Sequence, residues 1–260
     1  MGPPKPPLLI WQSAPHALTI SPKEIHLWQA WLGIESVQLD IFYQQLSDDE
    51  QARSDRFRDQ KDRERYIAAH GSLQAILSRY LHVEPIEVTF HRNEFGKPSL
   101  QLYGSEDIRF NMSRSDDMSL MAIARGREVG VDIERIRHLN DSMQIAEQFF
   151  CPGERSFLRT LEAEGQQEAF FRLWTLKEAF VKGRGQGLSI PLDHFEVAFQ
   201  DERPVLLGTQ EGVDIDVQDW SLVELNAHPG YAAALAAEGP MRCISFWRLD
   251  HTERIDGQDG

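Results

Sequence analysis

The spacing of apolar and polar positions changes period several times along this chain, and each change predicts an element. A short apolar run, Leu8 to Trp11, is followed by an alternating, strand-like segment, Val37 to Phe42. Ser47 and Glu50 stand three residues apart, the pattern of a capping box that opens a helix. From about Asp62 to Leu81, the residues Ile67, Leu73, Ile76, Leu77 and Leu81 are spaced for one helical face. Strand-like runs are predicted at Ile86 to Phe90, Ile108 to Met112, Leu120 to Ala124 and Val129 to Ile133, with a turn-rich stretch, His91 to Pro98, after the first. A helical region runs from about Asp141 to Lys182, interrupted at Pro152-Gly153, and strands return at His194 to Phe199, Asp214 to Val223 and Tyr231 to Ala236. Helices and strands segregate without regular alternation, which predicts an α+β fold and not a doubly wound sheet. From about His251 onward the chain is polar, and a frayed tail is expected there.

Composition narrows the function classes. The 260 residues are 41% hydrophobic and 10% aromatic, enough for a core of ordinary size in one large domain or two small ones in contact. A formal net charge of −14 argues against a nucleic-acid partner, so any anionic ligand must be held by local basic islands. Two cysteines, Cys151 and Cys243, are too few for a disulfide framework or a zinc site and fit a reducing cytoplasm. The start of the chain lacks the pattern of a signal peptide, and Pro6 stands where a myristoylation signal needs Ser or Thr. No stretch is long and apolar enough to span a bilayer, so a soluble cytoplasmic protein without a membrane partner is expected.

Three segments carry chemistry. In Val129-Gly130-Val131-Asp132-Ile133-Glu134, alternation puts the apolar residues on one face and Gly130, Asp132 and Glu134 on the other. Carboxylates two apart on a strand lie about 6–7 Å apart at the backbone, so both can reach one cation, and Gly130 leaves room for a bulky ligand. A strand with one solvated polar face accounts for the same pattern. Arg127-Glu128-Val129 resembles the start of a helical motif in one class of diphosphate hydrolases, but the adjacent glutamates that motif needs are missing. In the second segment, Ala169, Leu173, Leu176 and Phe180 form a helical stripe, while Glu178 and Lys182 share the opposite side with Phe171 and Trp174. A helix apolar on both sides is buried on both, so the charged pair is expected to line a cleft. In the third, Phe110 to Ser115, a strand ends in hydroxyl residues flanking an arginine; the group suits phosphate oxygens and equally suits an ordinary polar turn. Basic islands lie at Arg53, Arg56, Arg58, Lys61, Arg63 and Arg65, and at Lys97.

In order and spacing, Phe95-Gly96-Lys97-Pro98, Phe110-Asn111-Met112-Ser113, Gly130-Val131-Asp132-Ile133-Glu134 and Trp174-Thr175-Leu176-Lys177-Glu178-Ala179-Phe180-Val181-Lys182 resemble the 4′-phosphopantetheinyl transferase family, in its larger, surfactin-synthetase-type branch. The resemblance extends from about Leu46 to Ala236.

That resemblance implies transfer of the phosphopantetheine arm of coenzyme A to a serine of an apo acyl or peptidyl carrier protein, with release of 3′,5′-ADP. It implies a monomer of two similar α+β halves related by a pseudo-twofold, 1–126 and 127–249, with coenzyme A in the cleft between them and 250–260 as a flexible tail. Asp132, Glu134 and Glu178 match the family's metal ligands, for Mg²⁺ or alternatively Mn²⁺. Glu178 is the candidate base, and Lys182 would stabilise or protonate the leaving phosphate. Coenzyme A would meet Gly96, Lys97 and Pro98 at its nucleotide end, Arg53 and Arg56 at the 3′-phosphate, Ser113, Arg114 and Ser115 at the diphosphate, and Lys177 and Lys182 from the helix. Two positions depart from the family's pattern: Arg114 replaces the usual histidine, and Gln74 stands where many relatives are basic. Met143, Phe149 and Phe150 could meet the carrier protein or simply pack in the core. Two other readings use the same residues: a Mg²⁺-dependent enzyme that cleaves a nucleotide diphosphate with water, and a non-catalytic module that binds coenzyme A or a carrier protein.

Overall fold

A computed structural model of the chain describes residues 4–15, 18–101, 107–209 and 218–250, which leaves out the expected tail and the first part of the strand expected at Asp214 to Val223. The elements run β1 (Gln12–Ser13), β2 (Glu24–Trp31), α1 (Ser36–Gln45), α2 (Asp48–Ser54), α3 (Gln60–Leu81), β3 (Phe90–Arg92), β4 (Pro98–Leu100), β5 (Ile108–Ser115), β6 (Met118–Arg125) and β7 (Val129–Arg135). They continue with α4 (Ser142–Phe149), α5 (Pro152–Arg159), α6 (Ala163–Arg184), β8 (Phe195–Gln200), β9 (Arg203–Thr209), β10 (Trp220–Leu225), β11 (Tyr231–Glu238) and β12 (Cys243–Arg248).

The order of elements repeats. A strand, a set of helices ending in a 22-residue helix, a two-stranded ribbon and an antiparallel strand pair occur first as β2, α3, β3–β4 and β5–β6, and again as β7, α6, β8–β9 and β10–β11. The sheets repeat too, with β2-β6-β5 in one and β7-β11-β10 in the other. The fold is α+β in two similar halves, as the resemblance implied.

Packing explains the layers. Leu73, Ile76 and Leu77 of α3 bury against Trp28, Met121 and Ile123 on one face of the first sheet. The other face, including Ile25, Leu27 and Leu120, packs on Val129, Val131, Ile133 and Leu235 of the second sheet. The far face of the second sheet, Ala232, Ala234 and Ala236, receives α6 through Leu173, Leu176 and Phe180. The layers are therefore helix, sheet, sheet, helix. Strand β5 edges the first sheet and β7 the second, and these edges meet at a seam bridged by side chains: Asn111 Oδ1 accepts from Val131 N at 2.9 Å.

The chain ends cross between the halves. Strand β12 returns to pair with β2 in the first sheet. The N-terminal arm lies on the second half: Leu9 N donates to Asn226 O at 3.0 Å, and Lys5 pairs with Glu168 at 2.9 Å.

Several predicted elements need correction. Val37 to Phe42 belongs to helix α1, which buries Phe42 and Leu46 while Val37 is 68% exposed. Ile86 lies in a 3₁₀ turn started by Pro85 and capped by Glu87, and only Phe90 of that predicted strand enters β3. Strands β1, β2, β4, β9 and β12 were not predicted. The interruption in the long helical region falls before Pro152, which opens α5 as its first residue. The Ser47–Glu50 capping box forms as read, with Glu50 N donating to Ser47 Oγ and Ser47 N to Glu50 Oε2.

Candidate active site

Strand β7 presents Asp132 and Glu134 on the face covered by α6, as alternation requires. Gly130 makes room for that helix and not for a ligand: a Cβ there would overlap the backbone of Ala179 and Gly183. Helix α6 is buried on both sides, so Glu178 and Lys182 are held against β7 and the seam. Lys182 Nζ lies 2.5 Å from Asp132 Oδ1 and donates to Ser113 Oγ at 2.9 Å. Ser113 in turn donates to Asp132 Oδ1 at 2.8 Å, closing a triangle across the two halves. One strand position pair along, Ser115 Oγ donates to Glu134 Oε2 at 2.8 Å and accepts from Arg135 N at 3.0 Å.

The field is strongly acidic. Burial, and then the charge of Asp132, push the carboxyls of Glu134 and Glu178 above the usual carboxylate range. Burial opposes the charge on Lys182, but Asp132, Glu178 and Glu134 outweigh it and raise its pKa. Asp132 is 2% exposed, and its Oδ2 is buried with no hydrogen-bond partner. An orphaned buried carboxylate oxygen is costly and suits a bound cation. In this structure the Lys182 ammonium holds the other Asp132 oxygen. Among the described residues no three His, Cys, Asp or Glu side chains converge as a metal site.

The remaining expected residues divide. Ser113, Arg114 and Ser115 are not one turn but part of strand β5, so the serines face the carboxylates and Arg114 faces the other way, toward α3. There the Arg53 guanidinium lies 5.8 Å from the centre of the Tyr66 ring; burial and then the charge of Glu50 push the Tyr66 phenol up, against the charges of Arg53, Arg92 and Arg114. The Tyr66 hydroxyl is buried without a hydrogen-bond partner. Tyr66 and Arg92 went unread in the sequence because nothing local marks them; only the tertiary packing brings α3 and β3 to Arg114. Arg56 is exposed just beyond α2. Gly96, with φ +88°, shapes the β3–β4 hairpin that carries Lys97 and Pro98. Lys97 Nζ reaches the second half, donating to Gly183 O at 2.7 Å and pairing with Glu128 at 2.5 Å. A cavity of about 330 Å³ lies behind this hairpin, lined by Lys97, Pro98, Leu100, Arg109 and Glu128 among others.

Lys177, expected at the coenzyme A, points away from the cleft. It is fully buried on the other side of α6, 2.5 Å from Glu154 and 2.6 Å from Phe195 O, with its ammonium over the Phe195 ring. One residue along a helix turns the side chain by about 100°, which separates Lys177 from Glu178. Phe150 is a core residue stacked on Phe170, whereas Phe149 is 36% exposed.

Residues 29–125 match the 4′-phosphopantetheinyl transferase N-terminal family, and residues 128–236 match the 4′-phosphopantetheinyl transferase superfamily. The chain is 37% identical over 238 residues to the 4′-phosphopantetheinyl transferase HetI of Nostoc sp., covering 91% of this chain and 97% of that one. It is 29% identical over 200 residues to the 4′-phosphopantetheinyl transferase Sfp of Bacillus subtilis, covering 75% and 83% respectively. Among solved structures, the holo-(acyl-carrier-protein) synthase of Bacillus anthracis in complex with CoA aligns at 21% identity over 44% of this chain and 96% of its own, with a TM-score of 0.36. A family match on each half and a relative aligned nearly end to end decide the matter: the chain belongs to the 4′-phosphopantetheinyl transferase family. Among the described residues no helix is long and apolar enough to cross a membrane.

Proposed function

We propose that this protein transfers the 4′-phosphopantetheine group of coenzyme A to a serine of an apo acyl or peptidyl carrier protein and releases 3′,5′-ADP. The observation that carries the reading, beside family membership, is the Lys182–Asp132–Ser113 triangle at the seam with Glu134 and Glu178 next to it.

In the reaction the carrier serine oxygen bonds to the phosphorus next to pantetheine, and the bond from that phosphorus to the bridging oxygen breaks. Glu178, directly or through a water, takes the serine proton. Lys182 stands where negative charge grows on the leaving phosphate and stabilises it. Asp132 holds that ammonium in place, and Ser113 holds Asp132. Ser115 keeps the Glu134 carboxylate oriented. Asp132, Glu134 and Glu178 would hold Mg²⁺, and a cation there would draw charge from the diphosphate when bound. The hairpin residues Gly96, Lys97 and Pro98 take the nucleotide end. Arg53, Arg92 and Arg114 offer charged donors to the 3′-phosphate. Lys177 has no place at the ligand in this scheme and instead fixes the helix.

The test is to incubate the protein with Mg²⁺, coenzyme A and an apo carrier protein and to weigh the carrier. A gain of one phosphopantetheine is expected. Coenzyme A cleavage with no modified carrier would point to a hydrolase instead, and tight binding without turnover to a binding module.

A further inference from the structure

The last carbonyls of a helix have no partner within it and must find one outside. In α6 those partners come from the other half of the molecule. Asn93 Nδ2, in the β3–β4 hairpin, donates to Gly185 O at 2.9 Å, and Lys97 Nζ donates to Gly183 O at 2.7 Å. Gly185 is the left-handed residue that ends α6, with φ +69°, and it is buried. The approach is close: a Cβ on Gly185 would come within 2.6 Å of Lys97 Cδ. The other end of the Asn93 amide shapes the hairpin itself, because Oδ1 accepts from Phe95 N at 3.0 Å and from Lys97 N at 2.8 Å. Both polar atoms of Asn93 are thus spent on one joint, between the hairpin and the helix that presents Glu178 and Lys182.

We propose that Asn93 is a positioning residue that clasps the hairpin of the first half to the end of α6. It rests on the transferase reading above, in which the hairpin takes the nucleotide end of the ligand and α6 acts on its diphosphate. One rigid molecule then has to be met at two points that belong to different halves, and the clasp fixes the distance between them. Lys97 is not sufficient for this, since its ammonium is shared with Glu128 and is assigned to the ligand.

Two substitutions separate the clasp from the turn. Asn93→Asp keeps an acceptor for Phe95 N and Lys97 N but loses the donor to Gly185 O, whereas Asn93→Ala loses all three bonds. Both are expected to raise KM for coenzyme A about three- to fivefold, the worth of one such hydrogen bond, and to leave KM for the carrier protein unchanged. Both are also expected to speed amide hydrogen exchange in the last turn of α6. Wild-type KM and exchange in Asn93→Asp, with only Asn93→Ala impaired, would reduce Asn93 to a turn former and overturn the clasp. So would an Asn93→Asp defect that disappears at high salt, which marks charge repulsion and not a lost bond. If the wild-type protein modifies no carrier protein, the transferase reading fails, and the exchange measurement still decides whether the clasp exists.

Discussion

The two halves place a 22-residue helix in equivalent outer layers and surround it with opposite charge. Helix α3 of the first half sets Tyr66 beneath Arg53, in a patch where the charges of Arg53, Arg92 and Arg114, and that of Glu50, act on its phenol. Helix α6 of the second half brings Glu178 and Lys182 to Asp132 and Glu134 and so builds an acidic one. With a net charge of −14, the chain would depend on the first half's local set of basic side chains to hold a polyanion under the proposed function. Under the proposed function the two equivalent frames divide the work, one gripping the ligand and the other acting on it.

If that division holds, damage to the second half should lower kcat and damage to the first should raise KM. The largest effect is expected for Asp132→Ala, which removes the partner of Lys182: carrier modification followed by mass spectrometry should slow at least about a thousandfold, with an unchanged circular-dichroism spectrum. Retained activity would remove Asp132 from the reaction. Next is Lys177→Ala, which leaves Glu154 buried without its cation. Urea unfolding should show a loss of about 3–5 kcal/mol, although no atom of Lys177 faces the cleft. On the other side, Arg114→Ala should raise KM for coenzyme A about tenfold with little change in kcat, the loss of one charged hydrogen-bond donor to phosphate. A fall in kcat alone would break the comparison. The smallest effect concerns the thiols. Burial pushes Cys151 up to about 11, and its Sγ lies 3.1 Å from Phe195 O, whereas Cys243 is exposed at the start of β12. Alkylation at mildly alkaline pH should label Cys243 alone in the native protein and both residues after unfolding.

What the sequence revealed followed from local signals. The capping box at Ser47, the face of α3, the alternation in β7 and the two-sided burial of α6 all depend on residues close in the chain, and all were legible. Strand β2 was missed because it is buried on both faces, with His26 in the core bonded to the Tyr80 hydroxyl at 2.7 Å, so no alternation marks it. Helix α1 was misread because Val37, Leu39 and Ile41 happen to alternate, while its burial of Phe42 and Leu46 has helical spacing. At the site, the acidic residues were identifiable by type and spacing. The direction of Lys177 and the opposed directions of Ser113 and Arg114 follow from helix and strand periodicity once those elements are placed, whereas the use of Gly130 for helix packing is a consequence of tertiary contact. So is the arrival of Tyr66 and Arg92 at the basic pocket.

The exchange of chain ends has a practical consequence for anyone who cuts or extends this protein. Because β12 completes the sheet of the opposite half and the N-terminal arm rests on β10–β11, the two halves are dovetailed. Severing the chain between β6 and β7 would not yield two independent folding units, since each fragment would lack a piece lodged in the other. A truncation before Cys243 would be felt first at β2, in the sheet that also carries Ser113 and Ser115. The two severed fragments, supplied together, have the complementary pieces needed to reassemble.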